Sequence, residues 1–366
     1  MDTTPAGGRG GPQEMGRTGL PRVRLSSPAD ILAAVPYLLG FHPARSLVVI
    51  GAGGPRDRVK LGFRYDLPDP PAAPAAHEIA RHAVTVLRKR RATTVVAVGY
   101  GEGRLVTPVM DVFTAAARRG GLAVRELLRV SGGRYWSYLC QEVDCCPADG
   151  VPFDSSSHPV AAAMSVAGLG AYPDRAALER TIAPLTGERA RARDQAAQRA
   201  CARAAALAGK AATRGGSPLR LVISEGRRAV RAAIAHYRAG GAISDEDLLA
   251  WLVVSLAHLP VRDDAWARMD PGHRDAHLRL WADLVRAAGE AWVPGPAALL
   301  AFTAWQSGDG VLASIAIDRA LACDPGYSMA LLLREILDAG VPPSAARLPM
   351  TPEEVERSYE PPGARE

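Results

Sequence analysis

Residues 46–67 read SLVVIGAGGPRDRVKLGFRYDL, and this stretch decides the fold class. Ser46–Ala52 is an apolar run rich in β-branched residues, Gly53–Arg58 carries the Gly, Pro and Asp of a turn, and Val59–Leu67 is a second run. The pattern predicts an antiparallel hairpin. Just upstream, in SSPADILAAVPYLLGF, residues Ile31, Leu32, Val35, Leu38 and Leu39 recur at helical spacing. Ser27 suits the N-cap, Pro28 the first turn, and Gly40 the stop.

Downstream, PPAAPAA is a linker into a helix predicted over 77–91, and TTVVAVGYG (93–101) is a buried strand. Thr107-Pro108 opens a further helix to Arg119, and LAVRELLRV and RYWSYL form a last hairpin around Gly132-Gly133. Helices alternate with strands, which predicts an α/β N-terminal domain with a mixed sheet over 22–158.

After Phe153 the strand pattern stops and Ala and Arg dominate. Helices are expected from Arg175, from Glu188, over 219–238 and over 245–259, where Ser244 and Asp247 resemble a capping box. The helical pattern continues from Pro260 to Gly340, so residues 159–349 read as an all-α helical domain. Within it, residues 297–333 (AALLAFTAWQSGDGVLASIAIDRALACDPGYSMALLL) predict a tetratricopeptide-like helical hairpin. Ala297, Leu300, Ala301, Ala304, Ala313, Ile317 and Pro325 fall at the corresponding spacing. Residues 1–21 and 350–366 read as tails.

The net charge is +6, but lysine occurs only at Lys60, Lys89 and Lys210. Ala, Gly, Pro and Arg share GC-rich codons, so composition alone accounts for the arginines and argues against a nucleic-acid partner. The one Gly-Lys pair, Gly209-Lys210, is followed by Ala211, which excludes a P-loop. Neither G-x-S-x-G nor H-E-x-x-H occurs. No apolar leader and no run of about 18 apolar residues is present, which predicts a cytoplasmic protein with no membrane partner and reduced thiols.

Three of the five cysteines, Cys140, Cys145 and Cys146, fall in RYWSYLCQEVDCCPADGVPF (134–153). The expectation is reduced thiols packing the hairpin end beside Trp136 and Tyr138, with no cofactor. The alternatives are a zinc site completed by His158, or a disulfide from Cys140 to Cys145 or Cys146. A candidate ligand site groups Arg64 and Asp66 on one strand face with Gly99, Gly101, Gly103 and Arg104 after a strand; His42 is a further candidate. His273 and His277 stand at i and i+4, read as an exposed helix face, and Arg88–Arg91 (RKRR) suits a helix C-terminus.

SSPADILAAVPYLLGFHPARSLVVIG, FRYDLP, the CCPADGVPF stretch and AWQSGDGVLASIAIDRALACDPGYSMALLL together resemble one actinobacterial family. It is described only as a domain of unknown function, number 4192 in that series. The resemblance runs from about Val23 to about Pro343 and implies a bacterial cytoplasmic protein; it carries over no activity. The expected function is a non-catalytic interaction or scaffold protein, with a protein partner taken by the helical domain. The alternatives are an enzyme or small-ligand-binding protein with its site between the two regions, and a nucleic-acid-associated protein.

Overall fold

The structure is a computed structural model that describes residues 25–54, 57–69, 73–213, 215–345 and 350–359. The tail expected over 1–21, and residues 360–366 of the tail expected over 350–366, lie outside the described residues.

Helix α1 (Pro28–Leu39) starts at Ser27, whose side chain accepts from the Asp30 N–H while Asp30 reaches back, a capping box. It stops at Gly40, which takes the left-handed φ of 77°. Strands β1 (Ser46–Gly53) and β2 (Arg58–Asp66) form the expected antiparallel hairpin. Then follow α2 (Ala73–Lys89), β3 (Thr94–Tyr100), α3 (Gly103–Arg119), β4 (Ala123–Ser131), β5 (Arg134–Ser137) and the short β6 (Val151–Pro152). The sheet order is β2-β1-β3-β4-β5-β6. Only β3 and β4 pair in parallel, joined by α3, so the sheet is mixed as expected.

Alternate residues of β1 face opposite ways and both sets are apolar, so the sheet is covered on both sides. Leu47 and Val49, with Val95, Ala97 and Leu127, pack under α2 and α3. Val48 and Ile50, with Val98 and Leu128, pack against α1 and the C-terminal helices.

The second half is helical: α4 (Pro159–Val166), α5 (Arg175–Arg180), α6 (Gly187–Ala212), α7 (Pro218–Arg238), α8 (Glu246–Leu256), α9 (Leu259–Ala267) and α10 (Arg274–Ala287). They are followed by α11 (Pro294–Gln306), α12 (Gly310–Cys323), α13 (Ser328–Asp338) and α14 (Pro352–Ser358). α11 and α12 pair as the predicted helical hairpin. Every residue of α11 from Pro294 to Trp305 is buried. Its polarity pattern is apolar all round, as for a helix at the centre of a core.

The compositional break near residue 160 is not a break in packing. Leu178 and Ile182, then Tyr237, Leu252, Trp281 and Leu300, belong to the same hydrophobic cluster as Val48 and Leu128 of the sheet. A second tie closes the chain on itself: His82 of α2 bonds Tyr65 Oη at 2.6 Å and the Asp338 carbonyl at the end of α13 at 3.0 Å.

Local starts differ from expectation in three places. α3 begins at Gly103 rather than at Thr107, with Pro108 inside the helix. The N-cap of α8 is Asp245, which accepts from the Asp247 and Leu248 N–H groups, rather than Ser244. Residues 350–359, expected as part of a tail, carry α14, with its own Thr351–Glu354 capping box and Val355 buried against α9.

Beneath α14 lies a buried ionic network that the sequence reading missed. The Asp264 side chain is 0% exposed and receives paired bonds from Arg231 (2.6 and 3.0 Å) and Arg268 (3.0 and 3.2 Å). Asp263 pairs with Arg262 at 2.5 Å, and Tyr359 donates to it at 2.5 Å; Glu356 reaches Arg231 at 2.7 Å. The run Arg262-Asp263-Asp264 between apolar residues of α9 was the available signal, since buried charges are retained only when paired.

His277 corrects a further expectation. Its partner His273 is exposed, but His277 is 1% exposed, stacked on Trp281. Its Nε2 accepts from the Asp270 N–H and from Arg238, so the ring is neutral. Burial, with Arg238 nearby, pushes its pKa down to about 4. An unfolded histidine titrates near 6.5, so this contribution to stability is complete above that pH and is lost as pH falls toward 4. Urea unfolding at pH 7.5 and pH 5 should therefore differ by about 2 kcal/mol more in the wild type than in His277→Gln. Equal pH slopes in the two proteins would refute the assignment.

Candidate functional site

The loop between β5 and β6 gathers the three cysteines. β5 ends at Ser137, whose Oγ donates to Glu126 at 2.8 Å and accepts from the Leu139 and Cys140 N–H groups at 3.2 Å. A side-chain oxygen that takes these N–H groups competes with the sheet ladder and turns the chain out of it. The Cys145 and Cys146 N–H groups then both bond the Glu142 carbonyl, at 3.2 and 2.7 Å, making a single helical turn. Pro147 ends the turn, and Gly150, at φ 83°, leads into β6.

Trp136 clamps the base of the loop. The Arg129 guanidinium lies 3.5 Å from one ring face, and the Trp136 Nε1–H donates to the Ala148 carbonyl at 3.0 Å. Gly150 is required here twice over: its φ is left-handed, and a Cβ would stand 2.6 Å from the Trp136 ring. Arg134 closes the loop by donating to the Gly150 carbonyl at 2.7 Å.

The sulfurs converge on one another. Cys140 Sγ is 3.2 Å from Cys145 Sγ, which is 3.5 Å from Cys146 Sγ, and all three lie within 4.8 Å of one another. Cys145 is exposed; Cys140 and Cys146 are half-buried. Nearby, Trp136 faces Arg129 and Gly150, and Tyr138 bonds Thr107 at 2.8 Å.

The three thiols share charge unequally. Hydrogen bonds from the Cys145 and Cys146 thiols, then from the Glu142 N–H, hold the Cys140 thiol below its usual range. The contact of Cys145 with Cys140 raises Cys145, and the contact of Cys146 with Cys140, together with burial, pushes Cys146 up to about 12. Cys145 is the middle sulfur, in contact with both others.

His158, the fourth ligand considered with the zinc alternative, does not join. Its Nδ1 accepts from the Val160 N–H at 3.3 Å, capping α4, and its Nε2 faces Asp30 at 3.7 Å. Among the described residues the sulfur cluster holds only the three cysteines.

The other candidate residues fall at one end of the sheet, where Asp66 and Tyr100 flank Ser46 in register. They are tied up locally. Arg64 pairs with Asp66 and lies over the Phe41 ring; its side chain is 11% exposed, whereas that of Asp66 is 73% exposed. Arg104 pairs with Glu102 at 2.8 Å, and Arg45 with Asp69 at 2.5 Å. Gly99 has a packing reason, since a Cβ there would collide with Val106 of α3. Gly101 has φ 145°, and Gly103 is the first residue of α3. His42 is exposed. Arg88 and Lys89 sit in the last turn of α2, as expected.

The fold and site define a two-region protein: a mixed α/β sheet joined through one core to a helical array, with a three-thiol loop at the sheet's far end. The chain belongs to the family described as Domain of unknown function (DUF4192), whose model matches residues 28–344. No curated protein and no solved structure matches it. Among the described residues, no helix is long and apolar enough to cross a membrane.

Proposed function

We propose that this is a non-catalytic binding protein whose ligand is a zinc ion held by Cys140, Cys145 and Cys146. The observation that carries this reading is the convergence of three sulfurs on a single exposed loop. Thiols that serve only as small hydrophobes are buried among apolar groups; these turn toward one another instead. Zinc bonds of about 2.3 Å set tetrahedral thiolates about 3.8 Å apart, close to the separations present.

Three thiolates leave one position of a tetrahedral ion for water or another small donor. The ion's work here is structural. Residues 138–150 have no regular structure, and β5 and β6 share only two residue pairs. Metal binding in such a loop adds directly to its folding free energy. A non-catalytic role is supported by the pairing of Arg45, Arg64 and Arg104 with neighbouring carboxylates and of His82 with Tyr65 and Asp338. With this goes a cytoplasmic location, where free thiols persist.

Metal analysis of the reduced, tag-free, full-length protein should find one zinc per chain. Cys140→Ala and Cys145→Ala should each abolish it, while Cys201→Ala, remote in sequence from the cluster, should retain it. Purified wild type that holds no zinc and gains none from a zinc-buffered solution would overturn the reading.

A further inference from the structure

The three sulfurs are not equivalent in what they can form with each other. Cys140 and Cys145 stand 3.2 Å apart, with four residues between them, so a bond of about 2.05 Å requires a shift of little more than 1 Å. Cys145 and Cys146 are also close, at 3.5 Å, but they are chain neighbours, and a bridge between them strains the intervening peptide. The turn that would have to give way is held by only two backbone bonds to the Glu142 carbonyl. Cys145 is exposed, so an oxidant reaches it from solvent.

We propose that the cluster is also a peroxide-sensitive switch, in which hydrogen peroxide joins Cys140 to Cys145 and the zinc ion leaves. This rests on the zinc reading of the same three residues. In the first step the Cys145 sulfur attacks one oxygen of hydrogen peroxide. The O–O bond breaks, the S–O bond of a sulfenic acid forms, and the departing hydroxide takes up a proton as water. In the second step the Cys140 sulfur attacks the sulfenic sulfur. The S–O bond breaks, the disulfide forms, and the hydroxide that leaves takes a proton from solvent to become a second water. Two zinc-bound thiolates lose two electrons to one peroxide, which takes two protons from solvent and becomes two waters, and the zinc ion is released. Cys146 then remains as the single sulfur donor, and one thiolate does not replace the chelate of three.

The test uses zinc-loaded full-length protein and a molar excess of hydrogen peroxide. Zinc release is read with a chromophoric chelator, and the disulfide by peptide mapping after alkylation without reductant. The expected result is loss of one zinc per chain, a peptide linking Cys140 to Cys145, an alkylated Cys146, and recovery of zinc binding after dithiothreitol. Cys146→Ser should still form the Cys140–Cys145 link. Zinc that stays bound while peroxide is consumed, or a cluster that goes to sulfinic acid with no Cys140–Cys145 peptide, would overturn the switch and leave the metal site standing. Failure of the reduced protein to take up zinc would instead remove the reading beneath it, and with it the release.

Discussion

Asp264→Ala should lower the free energy of unfolding by about 3 kcal/mol. The Asp264 carboxylate is 0% exposed and accepts four guanidinium N–H bonds, two from Arg231 and two from Arg268. Burial alone would raise its pKa, but the hydrogen bonds and charges of the two arginines win and hold it below the usual carboxylate range. Removing the carboxylate leaves two cations facing each other without their shared anion. Arg231 and Arg268 are part-exposed, at 36% and 29%, so water relieves part of that cost, which places the effect at the lower end for a broken buried pair. Because the folded pKa is depressed, the pair's contribution is full above the unfolded value and disappears only as pH falls through the folded one. Chemical denaturation at pH 7 measures the effect. A loss under 1 kcal/mol would mean that the network is held by α14 and its Glu356, not by Asp264.

Trp281→Ala should cost about 3–5 kcal/mol, as for other buried tryptophans. Its more informative consequence is where the loss appears. Trp281 on α10 belongs to the cluster that contains Val48, Ile50 and Val98 of the sheet. Hydrogen exchange should therefore show reduced protection in β1 and β3 in step with α10. Protection that falls in the helices alone would mean that the sheet and the helical array unfold as separate units.

Local rules made much of the fold legible. Ser27, Pro28 and Gly40 bound α1 because caps act over a few residues, and the β1–β2 hairpin follows from one turn between two apolar runs. The ties between distant segments were not legible. The alternation that buries both faces of β1 does not say that helices beyond residue 170 cover one of them. At the thiol loop the C-x₄-C-C spacing conceals a single helical turn, closed by two bonds to the Glu142 carbonyl, that swings Cys145 and Cys146 toward Cys140. His277 was legible after all. With Leu280, Trp281 and Leu284 it follows i, i+3, i+4, i+7, the pattern of a buried stripe, which outweighs its i, i+4 relation to His273.

Helix α11 has a cost that appears before the protein is finished. Its 13 residues leave the ribosome ahead of α12 and α13, which later cover it. At synthesis rates of about 5–20 residues per second, an apolar cylinder with no solvent-compatible face waits on the order of seconds for its partners. Chains released with an end between residues 306 and 338 carry α11 without α12 and α13 to cover it. Stop codons in that interval should yield rapid clearance rather than a shortened, working protein.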